Sequence, residues 1–192
     1  MTVEPEVADV IALLRDANVP FWIAGGFAID LFVETPTRPH DDIDVQIVRG
    51  HDRVLASHLA GWDFQIAHAG SLTPWTPEHD HHTLWCRPSP SAPWCFELLL
   101  ADVVDDRWTF RRDPRISRPL AELGSSTASG IPFVRPEIQL LFKSKQPRPK
   151  DQADFDAVLP RLDPIARTWL VEALSLIDPS HAWLRSLTTA HR

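Results

Sequence analysis

Ala24-Gly25-Gly26-Phe27-Ala28-Ile29-Asp30, followed after a proline-containing loop by Arg38-Pro39-His40-Asp41-Asp42-Ile43-Asp44-Val45, is the stretch that decides how this chain reads. Upstream of it, Val7, Val10, Ile11 and Leu14 recur at helical spacing. Pro20 then closes that segment ahead of the apolar run Phe21-Trp22-Ile23-Ala24, so the order is helix, then strand. Gly25-Gly26 interrupts the strand, and Phe27, Ala28, Ile29, Leu31 and Phe32 continue as a short helix. Residues Asp42 to Ile47 alternate polar and apolar, the period of a half-buried strand.

Two glycines at a strand-to-helix turn let backbone N–H groups approach a phosphate, and the helix N-terminus adds positive potential. On the next strand, Asp42 and Asp44 are two residues apart, so both carboxylates are expected to leave one face, roughly 6.6 Å apart at the backbone. Magnesium takes oxygen ligands and pairs one or two carboxylates with substrate phosphates, so the combination reads as a metal–nucleotide site. Taken singly, a GG pair is an ordinary turn and a D-x-D pair a solvated strand face.

Further along, residues 51–60 read as helix and 62–68 as strand. Residues 71–80 read as a proline-broken loop, and 83–86, 93–100 and 108–111 as strands, with Asp105-Asp106 a turn. Beyond Pro136 the apolar residues return at helical spacing: Ile138, Leu141 and Phe142, then Phe155, Val158 and Leu159, then Trp169, Leu170, Ala173, Leu174 and Ile177. The expectation is an α/β (α+β) protein with a mixed-sheet domain over 1–115 and a helical C-terminal domain over 116–192.

The 192 residues carry 19 Lys and Arg against 26 Asp and Glu, a formal charge of −7. That balance argues against bulk-charge binding of nucleic acid, so a polyanion must meet a local basic site. Cys86 and Cys95 are too few for a disulfide framework. The acidic N-terminus is unlike a signal peptide, and no apolar run approaches the roughly 20 residues of a membrane span; the expected setting is cytoplasmic. Oligomeric state is not legible in the sequence.

The run GGFAID, the proline-containing loop and TRPHDDIDV resemble the nucleotidyltransferases of the DNA polymerase β superfamily. The resemblance covers residues 20–48 and is nearest to the aminoglycoside 2″-nucleotidyltransferase-like and lincosamide nucleotidyltransferase-like branch. It implies that Gly25 and Gly26 hold a triphosphate, that Asp42 and Asp44 bind Mg2+, and that a third acid stands on a neighbouring strand. It also implies transfer of a nucleoside monophosphate, AMP from ATP or another NTP, to a hydroxyl of a small acceptor such as an antibiotic. Glu97, in Trp94-Cys95-Phe96-Glu97-Leu98-Leu99-Leu100, is the candidate third acid, because a charge in an apolar strand is costly unless a metal or partner compensates it. Metal ligand or general base are both open for it, and Asp102 is the reserve.

The segment from Leu141 to Phe155 resembles the K-x-K…R-x-K-D-x-x-D-F stretch of related nucleotidyltransferases and is the one local basic run of an acidic chain. Lys143, Lys145 and Lys150 are candidates to balance the triphosphate. Arg38 is a candidate phosphate contact, and His40 a brace for its loop. Asp151 suits a helix N-terminus. The cluster His79-Asp80-His81-His82 lacks zinc-protease spacing and reads as surface histidines. Competing readings are a nucleotidyltransferase toxin acting on RNA, a non-catalytic nucleotide-binding module, and a metal hydrolase built on that cluster.

Overall fold

The computed structural model describes residues 5–189. Helix α1 (Pro5–Asp16) buries Val7, Val10, Ile11 and Leu14, the stripe its sequence spacing marks out. Strand β1 (Phe21–Ile23) leads directly into α2 (Gly25–Val33). The glycines therefore form the first turn of the helix instead of a separate turn ahead of it. Strand β2 (Asp44–Val48) begins two residues later than expected and leaves Asp42 in the preceding loop.

Helix α3 (His51–His58) is followed by β3 (Asp63–His68), β4 (Ser71–Pro74), β5 (Thr83–Arg87), β6 (Phe96–Val104), β7 (Arg107–Thr109) and β8 (Ser117–Pro119). Residues 71–74, expected in a loop, pair with β3 as a hairpin, because an open sheet edge beside β3 satisfies their backbone groups. Asp105 and Asp106 make the β6–β7 turn, both at positive φ. Strands β9 (Gly124–Ser126) and β10 (Pro132–Val134) follow, then helices α4 (Pro136–Lys143), α5 (Pro149–Val158), α6 (Pro164–Ile177) and α7 (Trp183–Thr189).

The mixed sheet runs β4-β3-β5-β6-β2-β1-β10-β9, with β7 and β8 continuing from β6. Pairs β2–β6 and β1–β10 are parallel, and the rest are antiparallel. Because β9 and β10 pair into this sheet, its strands extend to Val134 and the helices begin at Pro136.

One sheet face is apolar: Val45 and Ile47, Leu98 and Leu100, Leu84 and Cys86, and Phe64 and Ile66 pack with α1 in one core cluster. The alternating residues Asp44, Gln46, Glu97, Leu99 and Trp85 stand on the other face. A second cluster joins Trp108, Phe110 and Val134 to Ile138, Leu141, Phe155, Leu170 and Leu174 of the helices. Helix α2 belongs to both, with Phe27, Ala28 and Leu31 in the first and Ile29 and Val33 in the second. An apolar surface on every side of a short helix is what such a bridging position requires.

Candidate functional site

The parallel pairing of β2 with β6 places Asp44 opposite Glu97. Asp42 reaches the same point from the loop, and one ligand atom from each of Asp42, Asp44 and Glu97 lies within 4.8 Å of the others. The convergence expected of two acids on one strand is thus achieved by three acids from a loop and two strands. Three oxygen donors this close are the donor set of a hard divalent cation. The electrostatics agree: burial, with Asp42 beside it, raises the Asp44 carboxyl from 3.8 to about 6. Burial and the charges of Asp44 and Asp42 raise Glu97 from 4.5 to about 7, with Arg111 and the Trp85 side chain pulling the other way.

Gly25 is needed for space as much as for conformation. Its φ is +63°, and a Cβ added there would lie 1.9 Å from Asp44 Oδ2. Its backbone N–H donates to Gln139 Oε1 of α4 at 3.0 Å, tying the helical half to the glycine turn. At Gly26 a Cβ would meet His40 Nδ1 at 2.1 Å and an Arg38 guanidinium nitrogen at 2.9 Å. The two glycines therefore let an acid and the 38–40 loop close against the start of α2.

His40 braces that loop. Its Nε2 lies 2.7 Å from Asp30 Oδ2, while Asp30 Oδ1 accepts from the Thr37 backbone and hydroxyl at 2.9 and 2.6 Å. Arg38 is directed to the helical half, donating from Nε and Nη2 to the two oxygens of Asp154, each at 3.2 Å. Asp154 is fully buried, and Lys143 Nζ lies 2.8 Å from its Oδ2.

Asp151 caps α5 in a reciprocal pairing with Arg148: it accepts from the Arg148 backbone at 3.0 Å and from its side chain at 2.8 Å. Lys143 Nζ is 3.7 Å from Asp151 as well. The acids of α5 thus fix Lys143 and Arg148, and the positive charges of Lys143, Lys150 and Arg148 all act on Asp44. Lys150 also lies 3.8 Å from exposed Asp41. Lys145 is exposed and, among the described residues, is in no ion pair of the site.

A cavity of about 280 Å³ opens beside the acids, lined in part by Asp44, Glu97, Gln139, Arg111, Arg112 and Arg148. Asp102 borders it, but its carboxylate is 2.6 Å from Arg49 Nε. Arg148 belongs to the basic run marked out in the sequence, whereas Arg111 and Gln139 were not singled out. Gln139 carried a faint signal as the polar residue between Ile138 and Leu140 in an apolar helix run, and Arg111 carried none. His79 is not a surface histidine: its side chain is buried against Asp52, which also accepts from Trp75 and Gly50. That network fastens the 75–80 loop to α3. Among the described residues, no helix is long and apolar enough to cross a membrane.

Residues 6–73, which include the glycine turn, Asp42 and Asp44, match a family model described as aminoglycoside-2''-adenylyltransferase. A 2''-aminoglycoside nucleotidyltransferase of Escherichia coli is 32% identical over 95 residues, which cover 48% of this chain and 51% of that protein. One of Klebsiella pneumoniae is 31% identical over 98 residues, covering 50% and 53%. The chain thus spans about half the length of the curated relatives it matches. The lincomycin-bound crystal structure of the lincosamide antibiotic adenylyltransferase LnuA superposes with a TM-score of 0.58 at 20% identity, covering 82% of this chain and 96% of that one. The solution structure of the antibiotic-resistance factor ANT(2'')-Ia gives 0.62 at 16% identity, with 94% of each chain covered. The family model thus matches the part of the chain that carries the glycine turn, Asp42 and Asp44, and the α+β fold is that of the two solved structures.

Proposed function

We propose that this chain is a magnesium-dependent nucleotidyltransferase that moves a nucleoside monophosphate, AMP from ATP, to a hydroxyl of a small antibiotic-type acceptor. The observation that carries the reading is the convergence of Asp42, Asp44 and Glu97 within 4.8 Å. Raised carboxyls and an all-oxygen donor set fit a divalent cation, and Asp42, Asp44 and Glu97 would hold it. Bound there, magnesium supplies charge neutralisation at the phosphate under attack.

The chain's own groups account for the remainder. Lys143, Arg148 and Lys150 stand on the Asp44 side and favour the β- and γ-phosphates. Lys145 joins them only if the triphosphate extends towards solvent. Gly25 and Gly26 let Asp44 and the 38–40 loop close against the start of α2, and that helix start would face the triphosphate, while Arg38 acts through Asp154, holding the α5 acids that fix Lys143. An oxygen of Glu97 not engaged by the metal would take the acceptor's proton as the acceptor oxygen attacks the α-phosphorus and pyrophosphate leaves. The sheet part over 5–134 and the helices over 136–189 then form the two walls of the cleft.

A ligand that prefers the folded state raises its melting point. ATP with magnesium is expected to raise Tm by several degrees, with a smaller rise when the metal is chelated and none beyond that chelated level in Asp42→Asn. An equal rise with and without magnesium would refute the metal-dependent reading.

A further inference from the structure

The strand register continues the row of site residues past the acids. Asp44 of β2 stands beside Glu97 of β6, Glu97 beside Trp85 of β5, and Trp85 beside Gln65 of β3. The row leads outward on the open sheet face to the β3–β4 hairpin. There lies a second cavity, of about 500 Å³, lined by Thr83, Trp85, Glu97 and residues 67–72. Glu97 borders both cavities, and the two differ in charge. The first carries Asp44, Asp102 and three arginines. In the second, among the described residues, Glu97 is the one carboxylate, and it stands with Trp85, Thr83, His68, Ser71 and Leu72, the last 43% exposed.

We propose that this second cavity is the acceptor subsite and that it takes a hydroxylated ring compound with an apolar face and at most one positive charge, not a polyamine. The proposal rests on the nucleotidyl-transfer reading above. A hydroxyl presented from this side reaches Glu97 while the triphosphate occupies the cationic side. Trp85 is a braced platform: Trp94 meets it edge-on at 5.3 Å, Arg87 lies 4.0 Å over Trp94, and Asp63 holds Arg87 at 2.7 Å. An indole face fixed in this way favours an apolar ring. The several ammonium groups of a polyamine find one carboxylate, Glu97, in this lining and no second acid to pair with.

The test is calorimetric titration of monobasic lincomycin and of the polyamine tobramycin into the full chain saturated with magnesium and a non-hydrolysable ATP analogue. Lincomycin is expected to bind at least about tenfold tighter, the factor that one lost contact of about 1.4 kcal/mol represents. Trp85→Ala should weaken lincomycin about tenfold or more, with analogue affinity changed less than about twofold, and Trp85→Phe should restore most of the loss. Leu72→Glu, at an exposed position that spares the core, should shift preference towards tobramycin. Equal or tighter tobramycin binding, binding of the analogue with no acceptor bound, or parallel loss of analogue and lincomycin in Trp85→Ala would each overturn the assignment. Failure of the analogue itself to bind, read before any acceptor is added, is instead the failure of nucleotidyl transfer.

Discussion

Replacing Asp44 with Asn should stabilise the metal-free protein while removing its activity. The Asp44 carboxyl is raised from 3.8 to about 6 because burial and the neighbouring charge of Asp42 disfavour its ionised form. A folded-state pKa above the unfolded value means that the folded state binds the proton more tightly. The contribution of Asp44 to stability is therefore most favourable at low pH and falls as pH climbs from about 4 through about 6. Above that window the full cost applies, and a displacement from 3.8 to about 6 corresponds to about 3 kcal/mol. Glu97, raised from 4.5 to about 7 partly by Asp44, adds a loss over the next window upward and is itself relieved when Asp44 is neutral. The two costs are coupled and do not add in full.

Urea unfolding in chelator from pH 4 to pH 8 measures the effect directly. Asp44→Asn should exceed wild type by about 3 kcal/mol at pH 8, with the gap closing towards pH 4. Magnesium should recover most of the deficit of the wild type and little in the variant, because binding to the folded state alone is stabilising. A variant no more stable than wild type at pH 8, or a gap independent of pH, would refute the view that these acids are held together at an electrostatic cost.

Gly25→Ala should cut turnover by about 100-fold or more, since the new methyl would lie 1.9 Å from Asp44 Oδ2 and a misplacement of about 1 Å is enough for such a loss; normal kcat in this variant would show that Asp44 is not positioned by the bare glycine. Glu97→Gln should lower kcat severely with little change in ATP affinity, whereas Asp102→Asn, whose carboxylate is paired with Arg49, should stay within a few-fold of wild type; the opposite ranking in steady-state kinetics would move the third acid to Asp102. By calorimetry, Lys143→Ala should weaken ATP by roughly 1.5–3 kcal/mol and AMP by less. Exposed Lys145→Ala should remain within about 0.5 kcal/mol for both nucleotides, and equal losses at the two lysines would show that burial and pairing do not select the phosphate ligand.

Local pattern determined much of this protein. The helical stripe of α1, the Pro20 stop, the alternation in β2 and the return of helical spacing after Pro136 are each fixed by neighbours within a few residues, so one-dimensional periodicity is enough to find them. The glycine pair and the acids were legible for the same reason, since the residue types that approach a phosphate or ligate magnesium are few and stand within twenty positions of one another. The choice of Glu97 as the candidate third acid followed from the expense of an isolated charge in an apolar strand, again a local argument.

Tertiary structure alone decided what depends on pairing between distant segments. The parallel register of β2 with β6 sets Asp44 against Glu97, and no spacing rule over 53 positions could supply that alignment. The hairpin at 71–74 and the strands at 124–134 join the sheet because neighbouring edges offer hydrogen-bond partners, which their short sequences do not announce. Arg38 and Lys143, 105 positions apart and both candidates to meet phosphate, are brought by the fold to one buried acid, Asp154. Which cation is free to meet a ligand and which is occupied by an acid is a property of folded distances, because a charge acts on whatever the fold brings within a few ångströms of it, wherever that partner lies in the chain.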